Sequence, residues 1–123
     1  MRAALLEDDA VAALLGARVY DDPPADVVFP YLTLGRLESR PAEASEADAV
    51  EHAVTLHVWS RYGGRAEALD LVAAARAAVH NAALDVDGLR LVLLRVQFTD
   101  VFRSGDGRTT HGVLRLRAVT ETE

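Results

Sequence analysis

The chain has no cysteine and no lysine among its 123 residues. Without cysteine there is no disulfide framework, no thiolate nucleophile and no cysteine-ligated zinc. Without lysine there is no Schiff-base chemistry and no phosphate-loop lysine. No apolar run approaches the roughly 20 residues a membrane span needs, so no membrane partner is expected. Asp8 and Asp9 stand where a secretory leader needs its apolar stretch, so export is not expected either. Aromatics are sparse at 6%, and the 13 basic residues, all arginine, are outnumbered by 19 acidic ones, giving a net charge of −6. That balance lacks the electrostatic footprint of a protein that grips duplex phosphates.

What is present is a globular composition: half the residues are hydrophobic and 26% are charged. The length is that of one domain, spanning residues 1–123. Leu5, Leu6, Val11, Leu14 and Leu15 recur at helical spacings, with a break allowed at Asp8–Asp9 and a stop at Gly16. Arg18–Tyr20 is short and strand-like, and Asp21-Asp22-Pro23-Pro24 is a turn. Tyr31–Glu38 alternates as a strand, and residues 39–49, small and acidic, read as a loop, with a short solvated helix as the competing reading.

Residues 50–60 alternate cleanly, placing Val54, Leu56 and Val58 on one face and Thr55, His57 and Trp59 on the other. A helix follows over 64–81, with Leu69, Val72, Ala73 and Val79 as its apolar surface and His80 at its end. Asp87-Gly88 and Ser104–Gly107 read as tight turns bounding strands at 89–102 and 108–119. In the first of these, Val92, Leu94, Val96 and Phe98 share a face. In the second, Leu114, Leu116 and Ala118 point inward, and the tail 120–123 frays.

The predicted fold class is α+β: a mainly antiparallel sheet of about four strands packed by two helices, in the order α-β-β-α-β-β, with a long acidic loop between the first two main strands. The second sheet face carries Thr33, Thr55, His57, Trp59, Arg95, Gln97, Thr99, Arg115 and Arg117. Tryptophan and arginine are enriched where partners touch, so this face is solvated or meets another subunit.

Sites for chemistry do not assemble. His52 and His57 are five apart and fall on opposite strand faces, so they cannot share a metal. Asp85-Val-Asp87-Gly starts like a calcium loop but has Val96 where the bidentate glutamate belongs. Gly63-Gly64 lacks the flanking residues of a phosphate cradle. Serines 39, 45, 60 and 104 form no nucleophile elbow. No catalytic residue, metal site or cofactor is expected.

Several segments taken together resemble a known family. They are Gly16–Tyr20, Phe29-Pro30-Tyr31 entering a strand, the acidic loop, His52 through Arg61, Gly64–Ala68 opening a helix, Val101-Phe102-Arg103, Asp106-Gly107, and His111–Arg115 in the last strand. In order and spacing they resemble the tail terminator, or tail-completion, proteins of long non-contractile phage tails and gene transfer agents. The resemblance implies a structural particle protein and no enzyme. It implies a closed, six-fold ring at the head-proximal end of the tail tube that stops tube polymerisation and docks the tail to the capsid neck.

The implied partners are further copies of the chain, the tail tube protein and a neck stopper or connector protein, with DNA in transit through the ring. The implied location is the particle tail, assembled in the bacterial cytoplasm. Contacts to subunits or tube are then expected at Glu43, Glu46 and Asp48 of the acidic loop, and at His57, Trp59, Arg95, Arg115 and Arg117 of the second sheet face. Two other readings stay open: another ring of the head–tail joint, and a small dimeric ligand-binding or regulatory domain.

Overall fold

A computed structural model describes residues 1–42, 48–84 and 88–122. The chain forms α1 (Arg2–Glu7), α2 (Asp9–Leu15), β1 (Val19–Tyr20), β2 (Tyr31–Pro41), β3 (Ala49–Ser60), α3 (Ala66–Val79), β4 (Leu89–Arg103) and β5 (Thr110–Thr122). The five strands make one sheet in the order β1-β2-β3-β5-β4. β1 runs parallel to β2, and every other pairing is antiparallel. The class is α+β as expected. The element order differs from the expected one, because three helices and a fifth, parallel strand precede or flank the four long strands.

The extra helix comes from Asp8. Its backbone is extended (φ −75°, ψ 126°), which ends α1, and its side chain accepts a hydrogen bond from the Val11 amide at 3.0 Å, which starts α2. Gly16, at φ 57°, closes α2 as its position suggested. β1 is held from two sides. Arg2 Nε donates to the Val19 carbonyl at 2.9 Å, and Arg18 Nε donates to the Pro30 carbonyl at 2.7 Å. The Phe29–Pro30 peptide at the entry to β2 is cis.

All three helices lie on one side of the sheet. Leu5, Val11 and Leu15 from α1 and α2, and Leu71, Val72, Ala75 and Val79 from α3, bury against Leu32, Leu56, Val58, Leu114 and Leu116 of the strands. Fully burying such a leucine contributes about 1.5–3 kcal/mol. At Gly112 the helix and sheet nearly touch: a Cβ there would sit 2.7 Å from Val72 Cγ2 and 3.3 Å from Val58 Cβ. Ser60, wholly buried at the end of β3, donates to Glu67 Oε1 at 2.7 Å and so ties the strand to the first turn of α3.

Several expected boundaries and faces are corrected. Strand β2 continues through Ser39-Arg40-Pro41, paired with His52, Glu51 and Val50, so those residues are not loop. The rest of the acidic segment, residues 43–47 with Glu43 and Glu46, and the turn residues 85–87, lie outside the described residues. Helix α3 is shorter than 64–81, and its buried stripe runs through Ala68, Leu71, Val72, Ala75 and Val79. Leu69 falls off that stripe and is 53% exposed. The end of β5 is not frayed as far as Thr122: Thr120 is buried, and its hydroxyl meets His52 Nε2 at 2.9 Å.

β4 departs most from simple alternation. It is bulged between Leu91 and Leu93 and again between Val96 and Phe98. Each bulge inserts a residue and switches the faces. Val92 and Phe98 are therefore exposed rather than sharing the core with Leu94 and Val96, and Thr99 falls in register with the core residue Leu114, on the helix side of the sheet, while remaining exposed.

Candidate functional site: the helix-free face of the sheet

The face opposite the helices is built from the alternate residues of four strands. Register sorts it into two ends. At one end Tyr31 of β2 pairs with Trp59 of β3, Trp59 with His111 of β5, and His111 with Phe102 of β4. These four rings form one row across the sheet. Trp59 stacks on His111 with centroids 4.0 Å apart and planes 15° from parallel. Tyr31 stacks on Trp59 at 6.1 Å, and Phe102 lies 4.9 Å from His111. Phe29 extends the row edge-on to Tyr31 at 5.0 Å, with the Arg61 guanidinium 4.2 Å above the Phe29 ring. The indole N–H of Trp59 donates to Thr33 Oγ1 at 3.1 Å, which fixes the ring.

His57, one row further along, reaches diagonally to His111: its Nδ1 is 2.8 Å from His111 Nε2. Two imidazole nitrogens at that distance need one proton between them, so one ring donates and the other accepts. Burial lowers the pKa of both rings. For His111 the charge of His57 lowers it further, while Asp100 acts in the opposite direction. The ring of His57 lies against Gly35. A Cβ at residue 35 would come within 2.6 Å of the imidazole, so the close approach requires glycine.

At the other end the chemistry is ionic. Arg95 and Arg117 are direct cross-strand partners. Arg117 Nε donates to Glu51 Oε1 at 2.6 Å, and Arg40 approaches the same carboxylate at 3.7 Å. The Arg117 hydrogen bond holds the Glu51 carboxyl below its usual range. The guanidinium of Arg115 sits 5.1 Å from the centroid of Phe98, which the second bulge has turned to this face. Among the described residues, neither Arg95 nor Arg115 has a carboxylate partner.

The residues singled out from sequence therefore divide. His57 and Trp59 belong to the aromatic end and Arg95, Arg115 and Arg117 to the ionic end. Exposed Asp48 precedes β3, where its carbonyl accepts from the Thr122 amide at 3.3 Å. Glu43 and Glu46 lie outside the described residues. Sequence reasoning missed Tyr31, His111, Phe102 and Gly35, since alternation tells which face a residue takes but not which residue of another strand it meets.

The side chains offer little chemistry beyond contact. Ser39 Oγ lies 2.7 Å from His52 Nδ1, but the other nitrogen of that ring meets the Thr120 hydroxyl, not a carboxylate that would orient and charge it as a base. Among the described residues, no cluster of three or more histidine and carboxylate side chains is placed to hold a metal ion. No helix among them is long and apolar enough to cross a membrane. Asp106 is a turn residue: its carboxylate accepts from the amides of Arg108 and Thr109 and from the Thr109 hydroxyl, which lowers its pKa to about 2.

The chain is 29% identical over 102 residues to the tail completion protein gp17 of Bacillus phage SPP1, covering 81% of this chain and 74% of that protein. A chain in the virion of a native gene transfer agent particle superimposes with a TM-score of 0.87 at 28% identity, over 98% of this chain and 94% of that one. Residues 1–121 match the family described as tail completion protein gp17. With nearly its whole length matched, the chain belongs to the tail completion protein gp17 family, whose members are structural tail proteins and not enzymes.

Proposed function

We propose that the protein assembles as a closed ring, six copies around one axis, at the head-proximal end of a tail tube. There it stops tube growth and joins the tail to the neck of the capsid, with DNA passing through the hole. The observation that carries this reading is the helix-free sheet face. It holds an ordered aromatic row and two arginines without a carboxylate partner among the described residues, in a chain whose relatives are particle components. A cyclic ring uses one heterologous interface repeated until it closes. Its partners are further copies of itself, the tube protein and the neck protein. His57, Trp59, Arg95, Arg115 and Arg117, together with Asp48 and the sequence neighbours Glu43 and Glu46, supply the contacts. Net negative charge on each copy suits a wall past which DNA slides without being held.

The test is deletion of the gene in a particle-forming strain, followed by electron microscopy of tails and averaged views of the purified protein. The expected result is tails of uncontrolled length detached from capsids, and rings in projection. Tails of normal length joined to filled capsids in the deletion strain would overturn the reading.

A further inference from the structure

The four long strands alternate in direction, so the two sides of the sheet end in strands that run opposite ways: β4 on one side, and β2 on the other wherever β1 does not cover it. Each of these edges is capped over part of its length and open over the rest.

On β4 the capped part is its first half. The Asn81 amide donates to the Leu94 carbonyl at 2.9 Å, and the Val96 amide donates to His80 Nδ1 at 3.0 Å. Past the second bulge the capping stops. The Ser104 amide bonds the Thr109 carbonyl at 2.7 Å, so Ser104, Phe102 and Asp100 turn their backbone toward β5, while Thr99, Val101 and Arg103 turn theirs outward. Among the described residues, no hydrogen bond reaches those outward groups. On β2 the capped part is again the first half. The Leu32 amide donates to the Arg18 carbonyl at 3.0 Å, and β1 ends opposite Thr33. The Ala42 amide bonds the Ala49 carbonyl at 3.0 Å, so Arg40 and Glu38 turn toward β3, and Leu37, Ser39 and Pro41 turn outward.

The geometry points to a strand-to-strand join between copies: Thr99–Arg103 of one copy pairs antiparallel with Leu37–Pro41 of the next. The two open stretches have equal length and opposite direction. Thr99 meets Pro41, Val101 meets Ser39 and Arg103 meets Leu37 as hydrogen-bonding pairs, with Pro41 at the end of the ladder where its missing N–H costs one bond. The obstructions fall clear of each other. The β1 cap of the second copy lies beyond the hairpin end of β4, and the His80–Ala82 cap of the first lies beyond the end of β2. Both helix layers stay on the same side. On the helix-free face Asp100 stands opposite Arg40, whose side chain is 77% exposed and only loosely held by its own Glu51. Successive copies are offset along the strands by roughly 20 Å, as tilted strands in a closed sheet require. Repeated around a ring, the join leaves neither open stretch unpaired, whereas pairing β4 with a second β4 would leave both β2 stretches open.

This assignment rests on the ring reading above, and the test separates the two. The chain has no cysteine, so Arg40→Cys and Asp100→Cys can be introduced as the sole thiols. Facing each other as a non-hydrogen-bonded pair, with Cα atoms about 4.5 Å apart, they are within disulfide reach. In oxidised, assembled tails the double variant gives a ladder of multimers on a non-reducing denaturing gel, and each single variant gives none. Several copies per tail with no ladder overturns the join while leaving the ring. A dimer from Asp100→Cys alone overturns it in favour of β4 meeting β4. One copy per tail overturns the ring itself. A second variant, Thr99→Pro, removes an outward N–H that no internal bond uses. It keeps the wild-type melting curve and loses at least ten-fold in incorporation into tails, and incorporation at the wild-type level overturns the join.

Discussion

The two ends of the helix-free face are built from opposite materials. The aromatic end satisfies itself: Tyr31, Trp59, His111 and Phe102 stack in a single row, Trp59 and His57 each have a hydrogen-bond partner, and Gly35 is shaped to the His57 ring. The arginine end does not. Arg95 faces Arg117 across the ladder, and among the described residues only the second of them has a carboxylate, that of Glu51. Like charges placed opposite each other destabilise a sheet, and unpaired guanidinium groups gain most when a partner brings an acceptor. We propose that the aromatic row contributes mainly to the stability of the fold, and that, of the proposed contact residues, Arg95 and Arg115 gain most from association.

The sharpest break in that contrast is Trp59→Ala. It removes the centre of the row and the Thr33 hydrogen bond from a half-buried site, with an expected loss of about 2–3 kcal/mol in urea denaturation. A loss confined to assembly, with an unchanged denaturation midpoint, would reverse the assignment of the two ends. Gly35→Ala is a smaller test of the same end. Its Cβ must displace the His57 ring, which breaks the imidazole pair and costs about 1–2 kcal/mol. The histidine resonances in an NMR spectrum should shift, while a Leu69→Ala control leaves them in place.

Proton linkage sharpens the comparison further. His57 and His111 titrate lower in the folded chain than in the unfolded one. The unfolded chain therefore binds more protons as pH falls through the ordinary histidine value near 6.5. The stability that the pair contributes is fully present above that pH. It declines below it, and the decline stops once the folded rings are also protonated. Melting temperature should therefore drop between neutral pH and the acid side of that value, and the drop should shrink in a His57→Gln/His111→Gln variant. An unchanged slope in the variant would show that other groups set it.

How much of this is legible in the sequence follows from what alternation encodes. Val54, Leu56 and Val58 separate from Thr55, His57 and Trp59 because a strand repeats every two residues. Arg115 and Arg117 fall outward for the same reason. The arginine end of the face is visible because alternation within each strand is enough to turn its arginines outward. The aromatic row is not, since it depends on Trp59 lying in register with both Tyr31 and His111, which belong to other strands, and register is a property of the assembled sheet. Phe98 reads as core because nothing local in Val96-Gln97-Phe98 announces a bulge. The splitting of the first helix is readable at Asp8, a side chain that competes for the next turn's amides.

The smallest expected effect on folding is the most discriminating. Arg95→Glu replaces the like-charge pair on the ionic end with a carboxylate directly across the ladder from Arg117. Cross-strand opposite charges contribute about 0.2–1 kcal/mol and like charges oppose folding, so the isolated chain should become slightly more stable. Assembly should move the other way, because the substitution removes one of the two arginines left without a carboxylate among the described residues and puts a negative charge at a proposed contact with a partner's acceptor. Melting curves of the isolated chain and the fraction incorporated into tails, measured on the same preparation, read the two effects separately. If both fall together, the arginines serve the fold like the aromatic row, and the division of labour between the two ends is wrong. If stability rises and incorporation falls, the unfavourable Arg95–Arg117 contact is kept for the sake of association.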